Sequence, residues 1–298
     1  MPASSASPPD QRERGVLHPE RLPVDFRRLE PTGVEDLVCW FWAASWDHPV
    51  GEEARQEIIG FPGCNLAVET SVQTGGQTSR PTSRWTSMVG LAGPTTRASV
   101  RELEGRGWVI GALLRPAAVP ALTPDPAGLR DRYVPLEAPG LHDAVASARA
   151  AGTDPGAQTA AVLGDWLRER VGEPSSEGLL ANRMLEIVMG EAGVHTVADL
   201  AERLGVSPRT AHRLAARYVG LTPYAMIRRR RLQEAAGRVR EGAELAEIAV
   251  ELGYADQAHL ARDFRAVLGR SAGGYRQASG APAAGVPSRH RRRSASTT

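Results

Sequence analysis

At 298 residues, 42% hydrophobic and 23% charged, the chain is long enough for two ordinary domains and apolar enough to bury a core in each. No run approaches the ~18–20 consecutive apolar residues of a membrane span, and the opening MPASSASPPDQRERG lacks the apolar stretch of a secretion signal. These features predict a soluble cytoplasmic protein that does not enter a membrane. The net charge of +2 hides an asymmetry: residues 1–195 carry 18 Arg against 25 acidic residues, and residues 196–298 carry 18 Arg against 9. Lysine is absent, so each fixed positive side chain is a guanidinium, which forks phosphate and can read guanine edges. Codon bias would remove lysine equally well, so only the asymmetry counts. An acidic front and a basic back point to a polyanionic partner for the back.

Residues 1–15, rich in Ser, Pro and charge, read as disordered. From 16 to 135, short β-prone runs alternate with Gly and Pro: LVCWFWAASW (37–46), NLAVET (65–70), MVGLA (88–92), SVREL (99–103) and WVIGALLRP (108–116). This spacing favours a small β-sandwich or barrel, with QTGGQTSRPTSR (73–84) as a polar loop. Five of the six tryptophans lie here. Trp40 and Trp42 fall on one strand face, where core packing is the default and a ligand-stacking wall the alternative. Beyond Pro135 the pattern turns helical, at 141–152 and 157–172, and we assign 136–174 to a helical connector. A third helix (177–193) opens a back domain at 175–278. Residues 279–298, with RHRRR at 289–293, read as a solvated, disordered basic tail, with non-specific attraction for phosphate as the alternative.

The back domain contains a repeat. LAERLGVSPRTAHRLAARYVGLTP (200–223) is similar to IAVELGYADQAHLARDFRAVLGRSA (248–272). Leu200, Ala201, Leu204 and Gly205 fall on Ile248, Ala249, Leu252 and Gly253, and Arg213 falls on Arg262 after one extra turn residue. Each copy runs helix, glycine-containing turn, N-cap, helix, which is the helix-turn-helix layout. In the first copy Val197, Leu200, Ala201 and Leu204 form an apolar stripe. Ser207 then caps a helix that starts at Pro208. Ala211, Leu214, Ala215 and Tyr218 face inward; Arg209, His212, Arg213 and Arg217 face outward. In the second, Leu245, Ile248, Ala249 and Leu252 pack and Asp256 caps. Leu260, Phe264, Val267 and Leu268 are buried, leaving Gln257, His259 and Arg262 outside. Between the copies, Thr222 caps and Pro223 starts a linking helix ended by Gly242. About 18 helical residues at ~1.5 Å each span roughly 27 Å, against one DNA turn of ~34 Å. Part of RRRR (228–231) must pack, because one face of that helix is buried.

These residues resemble the AraC-type transcriptional regulators over roughly 177–277. The second-unit signature stands as IAVELGYADQAHLARDFRAVLGRSAGGYR (248–276), and RRLQEAA (230–236) matches the end of the linking helix. Ala272 departs from the family, which has proline there; the first unit keeps its equivalent, Pro223. A slightly looser final turn is expected. The resemblance implies that helices 207–218 and 256–268 enter successive major-groove segments. It gives base-edge roles to Arg209, His212, Arg213, Gln257, His259 and Arg262. Ser207, Thr210, Arg217 and Arg265 are expected at phosphates. The implied partner is double-stranded promoter DNA. A small-molecule effector, RNA polymerase for an activator, and a second copy in a homodimer stay open as further partners. The expected fold is α+β in two domains: an N-terminal β-barrel or cupin-like domain, and a C-terminal all-α domain of two helix-turn-helix units on a linking helix.

In the front half FPGCNLAVE (61–69), GLAGPTT (90–96) and GALLRPAAVPAL (111–122) are similar to an uncharacterised sensor-like domain of some such regulators. A cupin oxygenase needs a close His pair, which His18, His48 and His142 do not supply. There is no Gly-x-Ser-x-Gly, P-loop or dinucleotide fingerprint. Two cysteines, Cys39 and Cys64, cannot form a four-cysteine zinc site and read as small buried hydrophobes. No enzyme activity, metal or cofactor is expected. Two readings of this half stay open: a small-molecule sensor, or a protein-interaction and dimerisation module without a ligand.

Overall fold

A computed structural model describes residues 24–49, 54–71, 86–103, 105–152, 154–191 and 193–279. Trp85, the 73–84 loop, residues 1–15 and the basic run at 289–293 lie outside them.

In chain order the front strands are β1 (Asp25–Leu29), β2 (Val38–Asp47), β3 (Ala54–Ile58), β4 (Asn65–Ser71), β5 (Thr86–Ala92), β6 (Ser99–Leu103), β7 (Arg106–Leu114) and β8 (Tyr133–Pro135). Six pair antiparallel in the order β1-β2-β7-β4-β5-β8, while β3 and β6 form a separate two-stranded ribbon. Among the described residues the main sheet is open, its edges β1 and β8 unpaired with each other. The expected barrel is therefore not formed. The physical reason is a helical layer. Helices α1 (Leu141–Ala151) and α2 (Pro155–Val171) cover one face, so it is buried without the sheet closing on itself. Phe41, Leu66, Val68 and Ile110 share one core with Val145, Leu163 and Leu167. The segment 136–174, read above as a connector, thus contributes helices to the front core.

Strand alternation sorts the β2 side chains. Val38 and Phe41 enter the helix-covered core, and a register irregularity between Val38 and Trp40 re-phases the strand. Trp40, Trp42 and Ala44 then point to the opposite face, where with Trp46 they line a cavity. Gly111 of β7 permits this: a Cβ there would stand 2.3 Å from the Trp42 ring.

The back half is helical: α3 (Ser176–Gly190), α4 (Val197–Leu204), α5 (Pro208–Tyr218), α6 (Pro223–Arg240), α7 (Leu245–Glu251), α8 (Gln257–Leu268) and α9 (Ala272–Ala278). It holds two cores. Met184, Ile187, Leu200, Leu214 and Met226 centre the first. Leu232, Val239, Ile248, Leu260, Phe264 and Tyr275 centre the second, together with Ile59 from the front half, which is fully buried there. At α9 Ser271 caps through the Gly274 N–H at 3.1 Å, and Ala272 and Tyr275 are buried. The final turn closes without proline.

Candidate nucleic-acid interface

Each helix-turn-helix unit is assembled by caps that the sequence encodes locally. Thr196 opens α4 with a capping box: its Oγ1 accepts from the Asp199 N–H at 3.1 Å, and Asp199 Oδ2 accepts from the Thr196 and His195 N–H groups at 2.9 Å. Those backbone donors hold the Asp199 carboxyl below its ordinary pKa. Gly205, at φ 69°, ends α4. Ser207 then starts α5, its Oγ accepting from the Thr210 N–H at 3.1 Å. In the second unit Asp256 Oδ1 accepts from the His259 N–H at 2.6 Å. Side-chain oxygens thus satisfy amide groups that a helix start leaves unpaired, and fix where α5 and α8 begin.

The exposed faces carry the expected side chains. Arg209, His212, Arg213, Arg217, Gln257, Arg262 and Arg265 are exposed, and Thr210 and His259 are half-buried. Among the described residues the side chains of Arg209, His212, Arg262 and Arg265 have no hydrogen-bond or ion-pair partner. Ser207 and Thr210 are engaged with one another, their hydroxyls 3.0 Å apart. The His259 ring meets Tyr254 edge-on at 5.2 Å.

Arg213 and Arg217 have a partner that sequence reading missed. Arg213 Nη1 donates to Glu177 Oε1 and Arg217 Nη1 to Glu177 Oε2, each at 2.6 Å, and Tyr218 Oη donates to the same Oε2 at 3.1 Å. Glu177 sits in the first turn of α3, 36 residues before Arg213, so no local motif signals it. Desolvation, the largest single influence, raises the carboxyl pKa, but hydrogen bonds from Tyr218 and Arg213 and the charges of Arg213 and Arg217 together outweigh it and lower the pKa.

The RRRR run belongs to the interior rather than the exposed face. Arg228 pairs with Asp263 of α8 at 2.9 Å. Arg229 reaches Thr95 Oγ1 of the front half at 2.9 Å, and burial pulls its pKa down to about 10. Arg230 bonds Glu234 and the Val194 carbonyl, and Arg231 lies 3.6 Å over the Tyr254 ring.

The front half offers a second feature, a cavity of about 200 Å³ between the main sheet and the ribbon. Phe26, Trp40, Trp42, Trp46 and Phe61 give it an aromatic lining. Its polar groups include Asn65, whose Oδ1 accepts from Trp42 Nε1 at 3.2 Å, and the buried Glu69, which accepts from Tyr133 Oη at 3.0 Å. The Arg28 guanidinium lies 4.4 Å over Trp40 at its edge. Cys39 and Cys64 are free thiols whose pKa values burial pushes up to about 12. Among the described residues no cluster of His, Cys, Asp and Glu is arranged to hold a metal ion, and no helix is long and apolar enough to cross a membrane.

Comparison with known proteins divides the chain in the same way. Residues 200–278 match the family model of a helix-turn-helix domain, and residues 30–135 match a domain of unknown function, DUF6597. A Streptomyces lividans protein described as an AraC-like transcription regulator is 44% identical over 86 residues, which is 28% of this chain and 27% of that protein. A Streptomyces antibioticus protein of the same description is 42% identical over 86 residues, with the same coverage. The match thus spans about a quarter of the length of these relatives. Among solved structures, ToxT from Vibrio cholerae aligns over 80% of this chain and 98% of its own, at 6% identity and a TM-score of 0.41. Fatty-acid-bound ToxT aligns over 79% and 94%, at 9% identity and a TM-score of 0.38. Residues 200–278 thus match a helix-turn-helix domain and are similar to part of AraC-like transcription regulators, and residues 30–135 match a domain of unknown function.

Proposed function

We propose that the chain is a sequence-specific DNA-binding transcription regulator that places α5 and α8 in successive major-groove segments. The observation that carries this reading is the pair of capped helix-turn-helix units joined by one 18-residue helix, α6, each with exposed arginines on its second helix: Arg209, Arg213 and Arg217 on α5, Arg262 and Arg265 on α8. In this reading Arg209, His212 and Arg213 of α5, and Gln257, His259 and Arg262 of α8, meet base edges. Ser207, Thr210, Arg217 and Arg265 meet phosphates, positioning the helices without reading sequence. Arg213 has the most demanding role, since it must exchange Glu177 for a base edge. The test is a random-sequence selection followed by fluorescence anisotropy on selected and scrambled duplexes at two salt concentrations. Arg213→Ala should lose roughly 5- to 150-fold of discrimination, the ~1–3 kcal/mol of a bidentate contact. Equal, steeply salt-dependent binding to every duplex would reduce the interaction to phosphate attraction and overturn the proposal.

We further infer that the front half senses a small molecule and thereby controls the back half. The aromatic cavity supports this over a purely protein-binding role, because a concave apolar site with a few placed polar groups is the usual form of a ligand site. An effector regulates only by binding the DNA-competent and incompetent states unequally.

A further inference from the structure

Resting on that reading of the front half, we propose that a flat, largely apolar ring compound between the two sheets sets the position of the second helix-turn-helix unit relative to the first. The inference comes from which sheet holds which unit.

The first unit hangs on the main sheet. Asn182 of α3 donates to the Asp36 carbonyl just before β2 and accepts from the Ala117 N–H just after β7, both at 2.8 Å. Glu186 of α3 pairs with Arg115, also just after β7, at 2.5 Å. β2 and β7 are neighbours in the main sheet.

The second unit hangs on the ribbon. Gln233 Nε2 donates to the Ile59 and Gly60 carbonyls at 3.0 and 3.2 Å, immediately after β3. The Ala98 N–H, immediately before β6, donates to the Val267 carbonyl of α8 at 2.8 Å. Arg270 pairs with Glu57 of β3, and Ile59 is enclosed by the second unit's core.

Ribbon and main sheet share no strand pairing, and the cavity separates them. Trp40, Trp42 and Ala44 line it from the sheet; Gln56, Ile58 and Arg101 line it from the ribbon. An apolar cavity of about 150 Å³ accommodates benzene, so a space of about 200 Å³ admits one ring or a compact fused pair between aromatic faces. Filling the gap tilts the ribbon, and α8 moves with it. Because α6 passes through both cores, the motion is a bend or roll of the second unit about α6. Helix shifts of roughly 1–2 Å are what packed interfaces accommodate. Such a shift re-aims α8 while leaving α5 in place.

The experiment uses the full chain with Cys39→Ser and Cys64→Ala, spin-labelled through Ala216→Cys on α5 and Ala266→Cys on α8. The label-to-label distance is measured by pulsed electron paramagnetic resonance, with indole as probe and calorimetry reporting its binding. Ala44→Trp fills the gap independently from the sheet side. Indole binding and Ala44→Trp should each shift the distance on the order of 2 Å. Gln233→Ala/Arg270→Ala should abolish the shift while indole still binds. An unchanged distance with indole bound overturns the coupling but leaves the DNA-binding proposal standing, since that is read by anisotropy. Absence of indole binding overturns the ring-ligand proposal, even if Ala44→Trp still moves the labels.

Discussion

Glu177 concentrates the chemistry of the candidate interface in one side chain. It accepts from two α5 arginines and a tyrosine, so it orients Arg213 and also places a negative charge beside the surface proposed to meet DNA. The two effects have opposite consequences. Glu177→Gln should raise affinity for scrambled DNA several-fold, by removing the repulsion, and narrow the gap to selected DNA, by loosening Arg213; anisotropy on both duplexes measures this. The carboxyl pKa is lowered in the folded chain, so its stabilising contribution is present above the ordinary value of 4.5 and is lost as pH falls through the lower folded value. Thermal unfolding followed downward from about pH 5 should therefore fall less steeply for Glu177→Gln than for wild type.

Among the elements, those marked by local chemistry were the ones legible in the sequence. β6 was read at its observed bounds because SVREL alternates between flanking turns, and α5 because Ser-Pro marks a capped start. The α4 box is a similar local device. Thr196→Ala should cost about 1 kcal/mol in urea unfolding without altering which duplex is preferred. The missed strands have a common physical reason. DFRRL of β1 and YVP of β8 form sheet edges, and ARQEI of β3 lies in a two-stranded ribbon. They lack the apolar runs by which the other strands were recognised. The barrel expectation failed for a related reason: strand periodicity gives the faces of a sheet but not what covers them, and here α1 and α2 do. Exposure of the predicted α5 and α8 side chains followed from helical period, whereas the Glu177 contact depends on tertiary packing between α3 and α5.

At the scale of the molecule, the two halves are fastened at separate places. The first unit is also held by the Arg130 Nη2 hydrogen bond to the Gly220 carbonyl, at 2.9 Å. Gly220 has φ 79°, and a Cβ there would stand 2.3 Å from the Pro126 carbonyl oxygen. Gly220→Ala therefore combines backbone strain with a clash against the other half. It should destabilise the chain by more than about 1 kcal/mol, read in urea unfolding, and increase proteolytic cleavage near residues 123–130. In the sequence repeat Gly220 falls on Gly269, at the same offset that places Arg213 on Arg262. Its role at this junction was not legible there, because Gly269 meets nothing comparable.

The enclosure of Ile59 within the core of Leu232, Ile248 and Phe264 means that the helical half does not own its whole interior. A fragment of residues 175–279 keeps α5 and α8 yet has an open socket where that side chain stood, forgoing the roughly 1.5–3 kcal/mol that burying an isoleucine contributes. It should bind a hydrophobic dye that the full chain excludes and melt at a lower temperature. Adding the front half in trans should reverse both. The division that the family matches draw along the chain is therefore a division of ancestry more than of physical independence: one half borrows part of its core from the other.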